Sequence, residues 1–533
     1  MFFKNNRSQL QKQYASALML MLGLSMAAAA AMAQSEETVS SAHAQVRMRY
    51  AVLPDAVTFK TTAAGSLEAG ASHYPLEAGT WTLRAENLQP ARQHFYVFKK
   101  SFQPGDEVQR DAFIALWRQR GYTPQIKTLG KRFRTGTGRI IDNRVYWIAI
   151  ARFDKEADAT ALAQSMQDDP IRPWIRSERV LPGSCTFTLQ GTNTSKPLTL
   201  TAPLKIHCTA PIEIMNLSDA YWKSNQRNRL FHGPLEITVG YGRDLEVYGT
   251  LAVEEYLRGV VPAEMPASWP LEALKAQAIV ARSEIYASMA GKYELEGFDF
   301  TIFESCRAYN GVSGHAVQSD AAVAQTKGMA LVAQNKYISA VFSSCCGGWT
   351  ENNDNVWSGP PDPVLRGKSD LRTNSPSISP AQNLRTWLTT APDAWCAGDS
   401  AGYRWQKSYS RSELTEIVNQ RHNLGTVLRI EEGARGVSGR LKTLTIVGEK
   451  DSITLTGELN IRQAFGGLPS AMVIIETVMN GTSPAVYTFT GGGRGHGVGM
   501  CQYGARGMAS AGKDFAAIAA HYFPHADLER TME

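Results

Sequence analysis

The sequence predicts an α+β, multidomain protein, and three observations carry that prediction. The chain has 533 residues, room for about two to four domains. It is 43% hydrophobic and 20% charged, with 45 Gly, a composition that specifies a folded core and not a disordered chain. Its patterning also changes along its length. Strand-like and helix-like stretches alternate in the N-terminal half, an Ala-rich apolar helix lies near the middle, and glycine-punctuated strand alternation follows.

Residues 1–33 read as an export signal. Lys4, Arg7 and Lys12 precede the apolar Ala17–Met26, and Ala31-Met32-Ala33 is a small-x-small cleavage site. Cleavage would lower the formal charge of +6 to +3. A balance that weak argues against a nucleic-acid partner and is compatible with an anionic cell-wall environment. No later stretch is apolar enough to span a bilayer, so no stable membrane span is expected after cleavage.

Residues 34–92 are mixed, with strand-like Arg47–Leu53 and Thr80–Arg84, and have no assignable chemistry. Residues 93–180 are clearer. Phe95–Phe98, Thr123–Leu129, Val145–Ala151 and Trp174–Val180 read as strands. Glu107–Arg120 and Lys155–Gln167 read as helices. That order fits a small split βαβ, ferredoxin-like module. Residues 183–230 are Thr-rich and β-like, and Cys185 and Cys208 can close a loop there. Residues 231–530 form the remaining domain, mixed α/β with β-rich extensions. Within it Ser410–Asn419 reads as a helix and Val427–Phe465 as paired strands, turning at Gly433, Gly436 and Gly439.

The chemistry concentrates in residues 254–287. Val260-Val261-Pro262 reads as a buried strand end, and Pro262 and Pro266 bracket Glu264. Ser268 suits a helix cap and Pro270 a first turn. Leu271, Leu274, Ala278, Ala281 and Ile285 then recur at helical spacing. Glu264 is thus expected on a rigid loop at a helix N-terminus, where a carboxylate is favoured as the anion. A general acid needs the opposite, which burial against Met265 or Trp269 would supply. Lys275 and Arg282 share a helix face, with Gln277 about 200° around from Lys275. One acid beside a cationic helix face suits acid/base work on an uncharged polymer such as a glycan.

A second motif is Gly491-Gly492-Gly493-Arg494-Gly495-His496-Gly497-Val498-Gly499-Met500-Cys501-Gln502-Tyr503-Gly504-Ala505. Its glycines let backbone approach a ligand closely, and His496 and Gln502 can hydrogen-bond sugar hydroxyls. It lacks the Gly-Lys-Ser/Thr ending of a phosphate loop. A third is Cys306-Arg307-Ala308-Tyr309-Asn310-Gly311, followed by Ser343–Glu351 and Asn355-Val356-Trp357. The seven cysteines are an odd number, so at least one is unpaired or bound to something else.

Together these stretches resemble the stage II sporulation protein D family (SpoIID/LytB), most specifically in YLRGVVPAEMP, ALKAQA and AR over 255–286. The match departs at Ser283-Glu284, and at Cys501, where Ser is common. Residues 93–180 resemble a SPOR domain, a module that binds peptidoglycan glycans. The resemblance implies a peptidoglycan lytic transglycosylase that cleaves MurNAc–GlcNAc bonds in denuded strands and leaves 1,6-anhydro ends. It implies Glu264 as the acid/base, and Lys275, Gln277, Arg282, Tyr309, Ser343, His496, Gln502 and Tyr503 as substrate-binding residues. No cofactor is implied. Some members bind zinc through a His and two Cys just ahead of the tyrosine. Here 291–305 contain no His, so no metal site is expected, with His315 usable only in a rearranged one. Disulfides from Cys306 to Cys345 or Cys346, and from Cys396 to the other member of that doublet, are implied instead. The implied location is periplasmic or cell-wall associated. The implied partners are glycan strands and, for members that stimulate amidases, a cell-wall amidase.

Three other readings compete. A hydrolytic muramidase would draw a second acid from Glu351, Asp354 or Glu255. A non-catalytic glycan binder or amidase activator would keep the fold alone. A cysteine nucleophile would pair Cys501 with His496 or Cys306 with His315.

Overall fold

The computed structural model describes residues 44–192, 197–218, 226–302, 308–373, 379–399 and 401–531. The export signal of 1–33 and Cys306, with its expected disulfide, lie outside the described residues.

Two sheets built from interleaved strands hold the N-terminal core. One runs, in spatial order, Phe300–Thr301, Gln45–Leu53, Leu245–Ala252, Leu235–Val239, Leu204–Cys208, Gly65–Ala69, Ser72–Leu76. The other runs Leu198–Thr201, Ser184–Gly191, Gly79–Gln89, Ala56–Thr61, Ile212–Ser218, Gln226–Phe231. Period-two burial explains them: Val46, Met48 and Tyr50 turn inward from the strand Gln45–Leu53. Segments 34–92 and 183–230, read from sequence as separate regions, therefore pair into one β unit. Strands 235–252, assigned to 231–530, belong to it too. The pairing is long-range, which local alternation cannot reveal.

The intervening module opens on Arg92 and closes on Leu181. Its sheet runs Trp174–Leu181, Arg92–Phe102, Val145–Phe153, Gln125–Leu129, antiparallel throughout. Helices Glu107–Gln119 and Glu156–Ser165 connect the strands. Phe95, Val97, Trp117, Ile150 and Ala159 form its core. The module's two ends meet because the flanking strands Gly79–Gln89 and Ser184–Gly191 pair with each other. A hairpin of Arg132–Arg134 and Ile140–Asp142 extends from it. Its Phe133 ring lies 5.2 Å from both Tyr286 and Tyr337.

Two helices follow the last core strand, Val253–Glu264 and Leu271–Ser288. The longer one was expected to bury a single stripe. Instead it is buried almost all round, Gln277, Arg282 and Ser283 included, as small alanines let neighbours close in on every side. Further on, Arg411–Asn419 is helical with Ser410 as its cap, in a reciprocal capping box with Glu413. Val427–Glu432, Thr443–Gly448 and Ser452–Thr456 form a three-stranded meander. Residues 458–464 depart from the expected strand pattern. Gly457, at φ 93°, breaks the strand, and Glu458–Ala464 coils into a helix.

Cys185 and Cys208 are not bonded. They lie in different sheets, and the Cys208 thiol points to the carbonyls of Ala63 and Ala64, at 3.6 and 3.9 Å. Among the described residues no helix is long and apolar enough to cross a membrane.

Candidate active site

Glu264 does not sit on a loop before a helix; it is the last residue of one. Val260, Val261 and Pro262, expected as a strand end, lie in the helix Val253–Glu264. Met265 is forced into extended backbone, at φ −129° and ψ 136°, because Pro266 follows it. That break places the glutamate at the negative end of a helix dipole, the reverse of the expected placement. Ser268 is exposed and caps nothing; the next helix starts from Pro270.

The Ala308 N–H donates to Glu264 Oε1 at 3.1 Å, which brings the backbone of the residue before Tyr309 to the carboxylate. Gln502 fixes the backbone beneath. Its Nε2 donates to the Glu264 carbonyl at 3.0 Å and to Gln277 Oε1 at 3.3 Å. Gln277, Gln502 and Glu264 are therefore brought together from three separate segments. The Gln277 Nε2 is buried with no partner among the described residues. Tyr503 packs edge-on against Trp269 at 4.8 Å, and the Arg506 guanidinium lies 5.2 Å from the Trp269 ring.

A second cluster lies along the glycine-rich segment Gly493–Cys501, which ends in the short strand Met500–Cys501. Phe342-Ser343 pairs parallel with Met500-Cys501, and the Ser343 hydroxyl accepts from the Gly497 N–H at 3.2 Å. His496 Nδ1 accepts from the Val498 N–H at 3.1 Å. Burial first, then the positive charges of Arg440 and Arg462, pushes its imidazole down to about 4. It is a neutral ring at pH 7. Trp357, 43% exposed, packs on it at 4.9 Å and offers an open aromatic face beside the glycine-rich segment.

The other expected residues do not join these clusters. Arg282 is 0% exposed and clamps Glu254 bidentately, at 2.8 and 2.7 Å, while donating to the Met329 carbonyl at 2.9 Å. A fully enclosed guanidinium with these partners joins the two helices to the strand that follows them. Lys275 pairs with Glu272 at 2.7 Å and lies 5.6 Å from the Phe515 ring. Tyr309 is a core ring, 5.0 Å from Tyr256. It sits so close to the first helix that a Cβ on Gly259 would be 2.4 Å from it.

The candidate second acids are all engaged elsewhere. Glu351 is 1% exposed and accepts from the Asn352, Val437 and Ser438 N–H groups, the Asn355 amide and the Ser438 hydroxyl. Asp354 pairs with Arg366 at 2.7 Å. Glu255 pairs with Arg258 at 3.0 Å and lies 3.1 Å from His232 and 3.5 Å from His315. The cysteine-nucleophile pairing also fails at Cys501. Its thiol is fully buried and accepts from the Cys346 and Gly504 N–H groups at 3.1 and 3.3 Å, whereas His496 turns to Val498. Ala308 and Arg506 escaped the sequence reading as site residues. Ala308 lies 44 residues on from Glu264 and reaches it only through tertiary packing.

The family described as Stage II sporulation protein matches residues 241–332, and a domain of unknown function (DUF8618) matches 351–499. The Stage II sporulation protein D of Bacillus amyloliquefaciens is 31% identical over 52% of this chain and 74% of its own length. An uncharacterised protein of Brachyspira hyodysenteriae is 28% identical over 56% of this chain and 72% of its own. The amidase enhancer of Bacillus subtilis is 31% identical over 50% of this chain and 39% of its own.

Proposed function

Because the chain belongs to the stage II sporulation protein D family, we propose that it works on the cell wall as a peptidoglycan lytic transglycosylase with Glu264 as its general acid and base. One observation carries this reading. Glu264 ends the family-matching helix with its backbone pinned by Gln502, while Glu351, Asp354 and Glu255 are each held by protein partners. Inverting and retaining hydrolases need two working carboxyl groups. A lytic transglycosylase needs one. Glu264 first gives its proton to the bridging oxygen between MurNAc and GlcNAc. As a carboxylate it then takes the proton of the muramyl C6 hydroxyl, whose oxygen bonds to C1 and closes the 1,6-anhydro ring. No water enters the product.

Tyr503, Gln502, Ser343 and the Trp357–His496 face would line the strand's path. The exposed indole suits the apolar face of a sugar. The module Arg92–Leu181 has the β-α-β-β-α-β order of a split βαβ unit, which supports its reading as a SPOR-like module that brings the enzyme to denuded strands. Action there is periplasmic or wall-associated, after export.

The relative named amidase enhancer favours a second reading, a wall protein that stimulates an amidase without cutting glycan. One experiment separates the two. Full-length protein and its Glu264→Gln variant are incubated with intact and amidase-treated peptidoglycan, and released sugars are weighed by mass spectrometry. Anhydro-ended fragments from the wild type alone are expected. Reducing ends would make it a hydrolase; binding without release, together with faster amidase turnover, would make it an activator.

A further inference from the structure

Four side chains converge around Cys501, at the end of the glycine-rich segment. One ligand atom each from Cys346, Asp370, Cys396 and Cys501 lies within 4.8 Å of all the others. All four residues are 0% exposed. The Cys346 and Cys396 sulfurs are 3.6 Å apart, and Cys346 Sγ is 3.2 Å from Asp370 Oδ2. The three thiols are unbonded to one another. We propose that these four side chains bind a structural zinc ion.

The spacing suits the metal. Zinc–sulfur and zinc–oxygen bonds of about 2.3 and 2.0 Å in a tetrahedron leave ligand atoms roughly 3.5–3.8 Å apart. Three thiolates and one carboxylate give Zn²⁺ the same net charge as the four thiolates of a closed structural site. The supporting groups are also placed. Cys501 caps the helix Gln502–Ser510, and its sulfur accepts from the Cys346 and Gly504 N–H groups, which favour a thiolate. Asp370 turns its other oxygen to the Tyr522 hydroxyl at 2.8 Å and to His521 Nε2 at 3.0 Å, the outer hydrogen bonds that orient a ligating carboxylate. Gly504 leaves the room: a Cβ there would be 2.0 Å from the Tyr522 hydroxyl and 2.9 Å from Asp370 Oδ2.

A disulfide between Cys346 and Cys396 would use two of the four groups. It would leave the Asp370 carboxylate buried beside Cys501, offset only by His521 at 3.0 Å. Zinc uses all four and releases the thiol protons to solvent on binding. None of the ligands comes from the segment ahead of Tyr309. With no open position, the ion has a structural role. It ties the doublet after Ser343 and the Cys396 loop to the residue before Gln502, and Gln502 holds the Glu264 carbonyl. The proposal stands independently of the glycan reading.

The test starts from full-length protein purified without chelators or metal-charged resin. Elemental analysis should find about one zinc per chain, retained on dialysis. Alkylation during denaturation without reductant should tag Cys346, Cys396 and Cys501 in the wild type, a readout that needs no variant to fold. Exchange with cobalt(II) should give the visible d–d bands and thiolate charge-transfer band of a tetrahedral site. His521→Ala should weaken zinc binding by roughly 10–100-fold, and Cys208→Ser should leave it unchanged. Protein without stoichiometric zinc, whether its thiols are free or joined as disulfides, overturns the proposal.

Discussion

The pair Arg282–Glu254 decides whether a residue matched to the family's polar positions contacts glycan or holds the fold. Arg282 is 0% exposed and Glu254 22%. Two short bonds join them, and the guanidinium also donates to the Met329 and Val323 carbonyls at 2.9 and 3.4 Å. Arg282→Ala strands a carboxylate and two carbonyl groups. Removing one partner of a buried pair costs about 3–5 kcal/mol. Glu254 keeps the Gly328 N–H at 3.2 Å and some water, so about 3 kcal/mol is expected, a fall on the order of 1 M in the urea midpoint. Glu254→Gln should fall at least as far, because it leaves the enclosed cation uncompensated. Arg282→Lys should not restore the midpoint, since an ammonium cannot make the two-pronged contact. Unfolding followed by intrinsic fluorescence, alongside sugar release, reads both effects. Arg282→Ala that unfolds at the wild-type midpoint while losing sugar release would refute the reasoning and return Arg282 to the glycan.

Glu351→Gln should cost roughly 2–4 kcal/mol, because the amide NH₂ that replaces one carboxylate oxygen then faces either the Val437 or the Ser438 N–H. Whatever protein survives should release anhydro-ended fragments, and a switch of product would make Glu351 part of the chemistry. His496 has a folded value near 4 against about 6.5 unfolded. The unfolded chain therefore binds its proton first, and the stability His496 contributes is full above pH 6.5 and lost as pH falls toward 4. That amounts to roughly 3 kcal/mol, so urea midpoints of wild type and His496→Gln should converge over that window. Parallel midpoints from pH 7 to 4 would contradict the neutral imidazole. The activity profile of the wild type between pH 5 and 8 should carry no inflection that His496→Gln removes.

Much of the local structure was legible. The Arg92–Leu181 module was readable because each strand and helix announces itself by its own period. The long helix was located by its apolar recurrence. Two things were not readable. The first is the β unit, whose strands 45–89 and 184–252 are split by an inserted module, so the pairings across the split run from Gln89↔Ser184 to Gln45↔Ala252. The second is the orientation of polar residues on a helix buried all round. Helical spacing put Lys275 and Arg282 on one face, but it cannot show that the face meets Glu272 and Phe515 at one end and Glu254 at the other. Nor could local pattern end the first helix at Glu264, since Pro262 reads as a breaker and yet sits in the final turn.

The glycine-rich segment shows what composition alone cannot assign. Its glycines were read as room for ligand. A Cβ on Gly497 would lie 2.5 Å from the Arg440 guanidinium carbon, and one on Gly499 2.1 Å from the Val341 carbonyl oxygen. The close approach is to the protein's own groups. Arg440, 1% exposed, donates to the Cys346 carbonyl at 3.2 Å, so the glycine-rich segment, the cysteine doublet and the Glu351 turn close around one buried guanidinium. The segment Gly493–Cys501 is thereby packed on the protein's own groups. That packing matters because Gln502, the next residue, sets the Glu264 backbone from a different part of the chain. A single glutamate acting twice must be well placed for both the leaving oxygen and the C6 hydroxyl. Its position rests on the packing beneath the glycines as much as on its own helix.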